Sequence, residues 1–170
     1  MDATPDWTLR PGRVEDIEPL AALRAEVMRT DLVRLGRYDE DRVRRRLREG
    51  FSTRWTAVVE VAGVLAGCCT VRPAEQGGRL LEHFYLDPAR QGAGLGGAVL
   101  HRLLVEADAA GEPVRLIVLR GSRARRLYER HGFAFEREDG VDVHLLRPVG
   151  GRSSAPPSGR RAEAGRGGRC

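Results

Sequence analysis

One stretch, from Leu80 to Leu104, restricts the possible folds of this chain more than any other. Leu80 to Leu86 is dense in large apolar and aromatic residues and reads as a strand. Asp87-Pro88 stops it, because proline cannot donate to a ladder and aspartate favours a turn. Gly92, Gly94, Gly96 and Gly97 then form a loop with almost no side chains. From Leu95 the apolar residues Leu95, Val99, Leu100, Leu103 and Leu104 recur at helical spacing, so the loop opens a helix that runs to about Ala110. The first N–H groups of such a helix lack partners and lie at the positive end of its dipole. With no β-carbons in the way, a phosphate can approach them. The stretch therefore predicts a phosphate- or pyrophosphate-binding loop between a strand and a helix.

The flanking sequence supplies the remaining elements. Trp7-Thr-Leu-Arg-Pro11 is a short strand. Asp16 precedes a helix with apolar positions Ile17, Leu20, Ala21, Leu23, Val27 and Met28, and Pro19 is tolerated because it lies in the first turn. After Gly36, a second helix starts at Asp39-Glu-Asp-Arg and carries Val43 and Leu47. Its acids come first and its arginines after, as the dipole prefers, and Gly50 closes it. Its run Arg42, Arg44, Arg45, Arg46 and Arg48 reads as a solvated face. Arg54 to Val61 and Val64 to Val71 are strands joined by an Ala62-Gly63 hairpin turn. After the glycine-loop helix come a strand Val114 to Leu119, a helix around Tyr128, a strand Phe133 to Glu136 and a last strand Val141 to Leu146. A hairpin-rich first half joined to a β-α-β unit reads as α/β: a mixed sheet with helices on both faces.

The 170 residues suffice for one domain with its own core, placed at 7–147. Residues 148–170 are Gly, Arg, Ser, Ala and Pro apart from Val149, Glu163 and Cys170, and are expected to be a disordered tail. That tail holds five arginines and one glutamate, +4 of the net +5, so the body is nearly neutral and no nucleic-acid partner is expected. The three cysteines, Cys68, Cys69 and Cys170, offer neither a disulfide framework nor metal-ligand spacing. With no long apolar run and no leader-like start, a cytoplasmic location without membrane contact is expected.

Gly92-Ala-Gly94-Leu-Gly96-Gly97 satisfies G-x-G-x-x-G, the dinucleotide fingerprint. Here, however, five residues separate the loop from its strand, and the next strand, Val114 to Leu119, ends without a ribose-binding acid, although Arg120 could serve a 2′-phosphate. The segment Gln91-Gly-Ala-Gly94-Leu-Gly96 better resembles the R/Q-x-x-G-x-G/A signature of the GCN5-related N-acetyltransferases (GNAT). The lead-in Leu86-Asp-Pro88 resembles that family's strand end. Ala124-Arg-Arg-Leu-Tyr128-Glu-Arg-His-Gly132-Phe133 looks like its A-x-x-L-Y-x-x-x-G-F helix. The resemblance covers roughly residues 7 to 147.

This resemblance implies the GNAT fold and direct transfer of acetyl from acetyl-CoA, without metal, to a primary amine on a small molecule or peptide, by a monomer or homodimer. It implies that Gln91, Gly92, Ala93, Gly94, Leu95 and Gly96 hold the pyrophosphate. Phe84, Tyr85 and Leu86 would supply backbone donors to the pantetheine and the oxyanion. Tyr128 matches the tyrosine that protonates the thiolate. Glu82 matches an acidic position of the same strand and is the first candidate base. His83 is the alternative and, by strand alternation, is expected on the opposite face; a water chain without a single base is the third possibility. His144 and Asp142 could line the acceptor cleft, whereas His101 and His131 are expected on helix surfaces. Ser122 stands where many members have asparagine, which weakens one cofactor contact. Ile117 occupies the place of an acid found in the N-terminal protein acetyltransferase branch, which argues against that branch. The rival readings are a non-catalytic acyl-CoA-binding sensor and, third, an NADP-binding oxidoreductase.

Overall fold

The computed structural model describes residues 6–151. The expected tail from residue 152 onward lies outside the described residues. Strand β1 (Trp7–Pro11) leads into helices α1 (Ile17–Arg34) and α2 (Glu40–Gly50). Strands β2 (Thr56–Val61), β3 (Val64–Pro73) and β4 (Arg79–Leu86) follow as a meander. Then come α3 (Leu95–Ala109), β5 (Val114–Leu119), α4 (Ala124–Arg130), β6 (Ala134–Asp139) and β7 (Asp142–Arg147).

Local chemistry explains the boundaries. Asp16 accepts the Arg13 N–H at 2.7 Å ahead of α1, and Asp39 caps α2 by accepting the Arg42 N–H at 3.0 Å. In α2 only Val43 and Leu47 are buried, so the arginines between them face outward, and Glu40 and Glu18 pair with Arg44 and Arg48.

The seven strands form one sheet in the order β1-β2-β3-β4-β5-β7-β6. Every neighbouring pair is antiparallel except β4–β5. Helices α1 and α2 cover one face, where Leu20, Leu23 and Leu47 pack on Val58 and Cys68, with Tyr85 beside them. Helices α3 and α4 cover the other: Leu100, Leu104 and Tyr128 pack on Leu116, Val118 and Leu145, and Leu95 and Val99 on Val59 and Leu86. These large buried side chains are the main stabilising term, each worth ~1.5–3 kcal/mol of transfer free energy.

Val149–Gly151, assigned above to the tail, form a short 3₁₀ turn that docks on the body. Asp108 on α3 accepts from both Arg147 Nη atoms, at 2.7 and 2.8 Å, and from the Gly150 N–H at 2.8 Å. Arg147 also donates to the His131 carbonyl at 2.9 Å.

Candidate active site

The glycine loop lies where the strand–turn–helix reading placed it. Asp87 Oδ1 accepts the Ala89 N–H at 2.9 Å, which fixes the turn around Pro88. Gly92 and Gly94 both have positive φ, 86° and 82°, and a β-carbon on either would meet open space. These glycines therefore serve backbone conformation and outside access, whereas a β-carbon on Gly96 would make ordinary contact with Leu86 and Leu127. The first α3 N–H with an intrachain acceptor is that of Ala98, bonded to the Gly94 carbonyl at 3.0 Å. The N–H groups ahead of it are left for a ligand. Gln91, exposed in the loop, donates from Nε2 to the Leu86 carbonyl at 2.9 Å and ties the loop to the end of β4. A pyrophosphate fits this open set of donors.

Beside the loop the sheet opens. β4 pairs with β5 over three residues only: Arg79 with Val114, Leu80 with Arg115, and Leu81 with Leu116. Beyond Leu81 the two strands part. On the β3 side the register shifts between Cys68 and Thr70, which pair with Tyr85 and Glu82, so that Cys69 faces two residues, His83 and Phe84. His83 has φ 49°, a left-handed conformation unusual for a residue with a side chain. This is a β-bulge, and bulges bend a strand and increase its twist, which turns the outer half of β4 away from β5. The Asp87 N–H bonds to the Ala66 carbonyl on β3 at 2.8 Å. By alternation, the main-chain groups of Phe84 and Leu86 point to the opposite side, into the gap.

Tyr128 reaches this region from α4. Its ring packs edge-on against Phe133 at 5.8 Å and tilted against Phe84 at 6.4 Å. Its hydroxyl has no protein partner among the described residues and is not sealed from solvent. Burial first, and then the Tyr85 phenol, push its pKa well above the ordinary tyrosine value, so it stays protonated at neutral pH. Ser122, just before α4, accepts the Ala124 N–H at 3.3 Å.

The bulge overturns one expectation. Glu82 and His83 were expected on opposite faces, but the extra residue breaks the alternation. Glu82 pairs with Thr70 and Tyr85 with Cys68, both on the α1/α2 face. His83 lies 6.1 Å from the Tyr85 ring and against the end of α2, where a β-carbon on Gly50 would collide with its Nε2. Both candidate bases are therefore on the α1/α2 side. Glu82 receives Arg72 at 2.7 and 3.1 Å, so both its oxygens are engaged. His83 Nδ1 is buried without a partner among the described residues. Burial lowers the His83 pKa, and the Arg24 charge adds to this.

No motif or periodicity in the chain singles out Arg24. This α1 residue is 6% exposed, donates from Nε to Tyr85 Oη at 3.0 Å and from Nη1 to the Val43 carbonyl, and lies over the Tyr85 ring. Across the gap, Ile117 and Leu119 alternate with the buried Leu116 and Val118, and pair with His144 and Asp142 on β7, so all four face the α1/α2 side. His101 is exposed on α3, as expected, whereas His131 is half-buried with Nδ1 2.8 Å from the Leu127 carbonyl.

A mostly antiparallel sheet with one splayed parallel pair, beside an open helix N-terminus, defines the acyl-CoA N-acyltransferase fold and not a dinucleotide fold, whose strands run parallel around its loop. An acetyltransferase (GNAT) domain model matches residues 52–134 of the chain. Solved structures agree on the fold. The PaiA N-acetyltransferase of Thermoplasma acidophilum, in complex with coenzyme A, superposes with a TM-score of 0.69 at 21% identity, covering 84% of this chain and 99% of that one. The ribosomal-protein-S18-alanine N-acetyltransferase of Escherichia coli does so with a TM-score of 0.61 at 20% identity, covering 90% and 98%. Ard1 of Thermoplasma volcanium gives 0.62 at 22% identity, covering 84% and 97%. No curated protein sequence matches the chain. Among the described residues no helix is long and apolar enough to cross a membrane, and no three His, Cys, Asp or Glu side chains come together as a metal-binding group.

Proposed function

We propose that this protein is an N-acetyltransferase that moves acetyl from acetyl-CoA directly to a primary amine of a small molecule or peptide. The observation that carries this reading is the gap between β4 and β5, beside the unpaired loop N–H groups and the Tyr128 ring packed on Phe84. The Gln91–Gly96 loop takes the pyrophosphate. The gap takes the pantetheine arm, with the main chain of Phe84 and Leu86 as its partners.

The acceptor amine must first lose a proton, because a free alkylammonium has a pKa near ~10. Of the candidate bases, the geometry favours His83: it is neutral and its Nδ1 is unengaged, whereas Glu82 is held by Arg72. The amine lone pair attacks the thioester carbonyl carbon. Negative charge gathers on its oxygen, where main-chain donors of β4 stabilise it. The C–S bond then breaks, the departing thiolate takes the Tyr128 proton, and the second proton of the acetylated nitrogen passes to solvent, from which Tyr128 is reprotonated. No acetyl-enzyme forms, in keeping with Cys68 and Cys69, both buried and held as thiols by pKa values raised well above normal.

Calorimetry with acetyl-CoA and a CoA-release assay over a panel of amines test this reading. Saturable binding, with release that depends on at least one amine, is the expected result. Acetyl-CoA binding without turnover on any amine would favour a sensor. NADP binding without response to acetyl-CoA would overturn the assignment.

A further inference from the structure

Arg24 carries a charge that no carboxylate among the described residues balances. It is 6% exposed, its two bonded nitrogens meet a phenol and a main-chain carbonyl, and no carboxylate pairs with it among the described residues. Its third nitrogen, Nη2, has no partner there either, yet it is not sealed from solvent. Burying a guanidinium costs several kcal/mol unless an anion answers it. The other internal arginine shows how this chain ordinarily meets that cost: Arg147 is clasped by both oxygens of Asp108. Arg24 is rigidly aimed by Tyr85 and Val43, with its remaining donor left over.

The position of that donor is informative. Tyr85 lies two residues from His83 on the bulged strand, on the face that also holds Glu82. The anion that completes Arg24 therefore lies on the same side as the candidate bases. Nη2 offers two N–H donors on a planar group, which suits a carboxylate oxygen.

We infer that Arg24 is a specificity residue, and that its Nη2 binds a carboxylate carried by the acceptor, so that the substrate class is amino acids and not simple alkylamines or polyamines. This rests on the acetyltransferase reading, and the test separates the two. In the first arm, CoA release is measured for amino acids and for their decarboxylated counterparts, β-alanine against ethylamine and 4-aminobutyrate against propylamine. Wild type should favour the carboxylate-bearing member by ~10- to 100-fold in kcat/KM, the range of one charge-assisted hydrogen bond. In Arg24→Met, and more weakly in Arg24→Lys, that ratio should fall toward one. The second arm needs no turnover: N-acetyl-β-alanine and N-ethylacetamide are titrated into the CoA-bound protein. If wild type binds only the carboxylate but acetylates nothing, the acetyltransferase reading fails and the Arg24 subsite stands. If wild type does not discriminate in either arm, the inference is overturned, whatever the variants do. If it discriminates but Arg24→Lys and a folded Arg24→Met keep the full ratio, Arg24 is a structural arginine only.

Discussion

The two faces of the sheet solve different problems, and they were not equally legible. On the α3/α4 face lie the glycine loop, Phe84 and Tyr128, held by apolar packing with open main-chain donors. On the α1/α2 face lie a left-handed histidine, a buried arginine with no carboxylate partner among the described residues, and an acid–arginine pair. The first arrangement suits a ligand recognised by phosphate and main chain, which any chain of this fold can share. The second is built from side-chain charges and a left-handed backbone. The difference implies that cosubstrate affinity and acceptor chemistry are separable by mutation.

The largest expected effect tests the first face. Gly94→Asp puts a side chain on a residue with φ 82° and a negative charge at the helix N-terminus. Acetyl-CoA binding by calorimetry should be lost while the far-ultraviolet spectrum is kept. Wild-type affinity in this variant would mean the loop is not the anion site.

Next in size is Tyr128→Phe, which keeps the ring packing against Phe84 and Phe133 and deletes the hydroxyl. Turnover should fall by the ~10²–10⁴-fold typical of general acid catalysis, at unchanged acetyl-CoA affinity. Unchanged turnover where chemistry limits the rate would remove the hydroxyl from the mechanism.

These first two predictions use residues that sequence alone located, and the reason is physical. A glycine loop needs particular residues at particular spacings, and a strand, a turn and an amphipathic helix leave periodic traces around it. The bulge at His83 leaves none. It consists of one extra residue on one strand, and reading β4 as a regular strand put Glu82 and His83 on opposite faces. Gly50 resembled an ordinary helix end, yet it is also the space into which the His83 ring fits. Arg24 was one arginine among twenty-nine basic residues, and its burial is set by contacts with Tyr85 and Val43, 61 and 19 residues away. Such contacts exist only in three dimensions.

His83 offers a third, smaller test, directed at the second face. The charged groups around it are Arg24 from α1, Arg72 from β3 and its neighbour Glu82; burial and the two arginines lower its pKa below 6.5, and Glu82 opposes them. A base must be neutral, so the acidic limb of kcat/KM should lie below pH 6.5, with a plateau at neutral pH. His83→Gln should remove that limb and cost about 10²-fold. Stability should follow the same group. Above pH 6.5 neither folded nor unfolded His83 binds a proton, so its contribution is flat. As pH falls below 6.5 the unfolded chain is protonated first, and stability drops until the lower folded pKa is passed. A limb that persists in His83→Gln would assign the base to another group.

The smallest effect concerns what keeps the first face rigid. Asp108 joins α3 to the end of β7 and to the turn beyond it, and its pKa is lowered to about 2, chiefly by Arg147 and then by the Gly150 N–H. A carboxyl whose folded pKa is depressed stabilises the fold above its unfolded value of 3.8 and loses that contribution as pH falls through about 2. Ending the chain at Arg147 removes the Gly150 bond and the close contact of Gly151 with Gly132, but spares the ion pair. That truncation should cost ~1–2 kcal/mol, a few degrees in Tm. Ending it at Gly151 keeps both contacts and should shift Tm by less than about one degree. If α3 is the rigid support of the glycine loop, the shorter chain should also bind acetyl-CoA slightly more weakly, and the Arg24-dependent selectivity should not change. A change in that selectivity would show that the two faces are coupled through the sheet, and the separation argued above would fail.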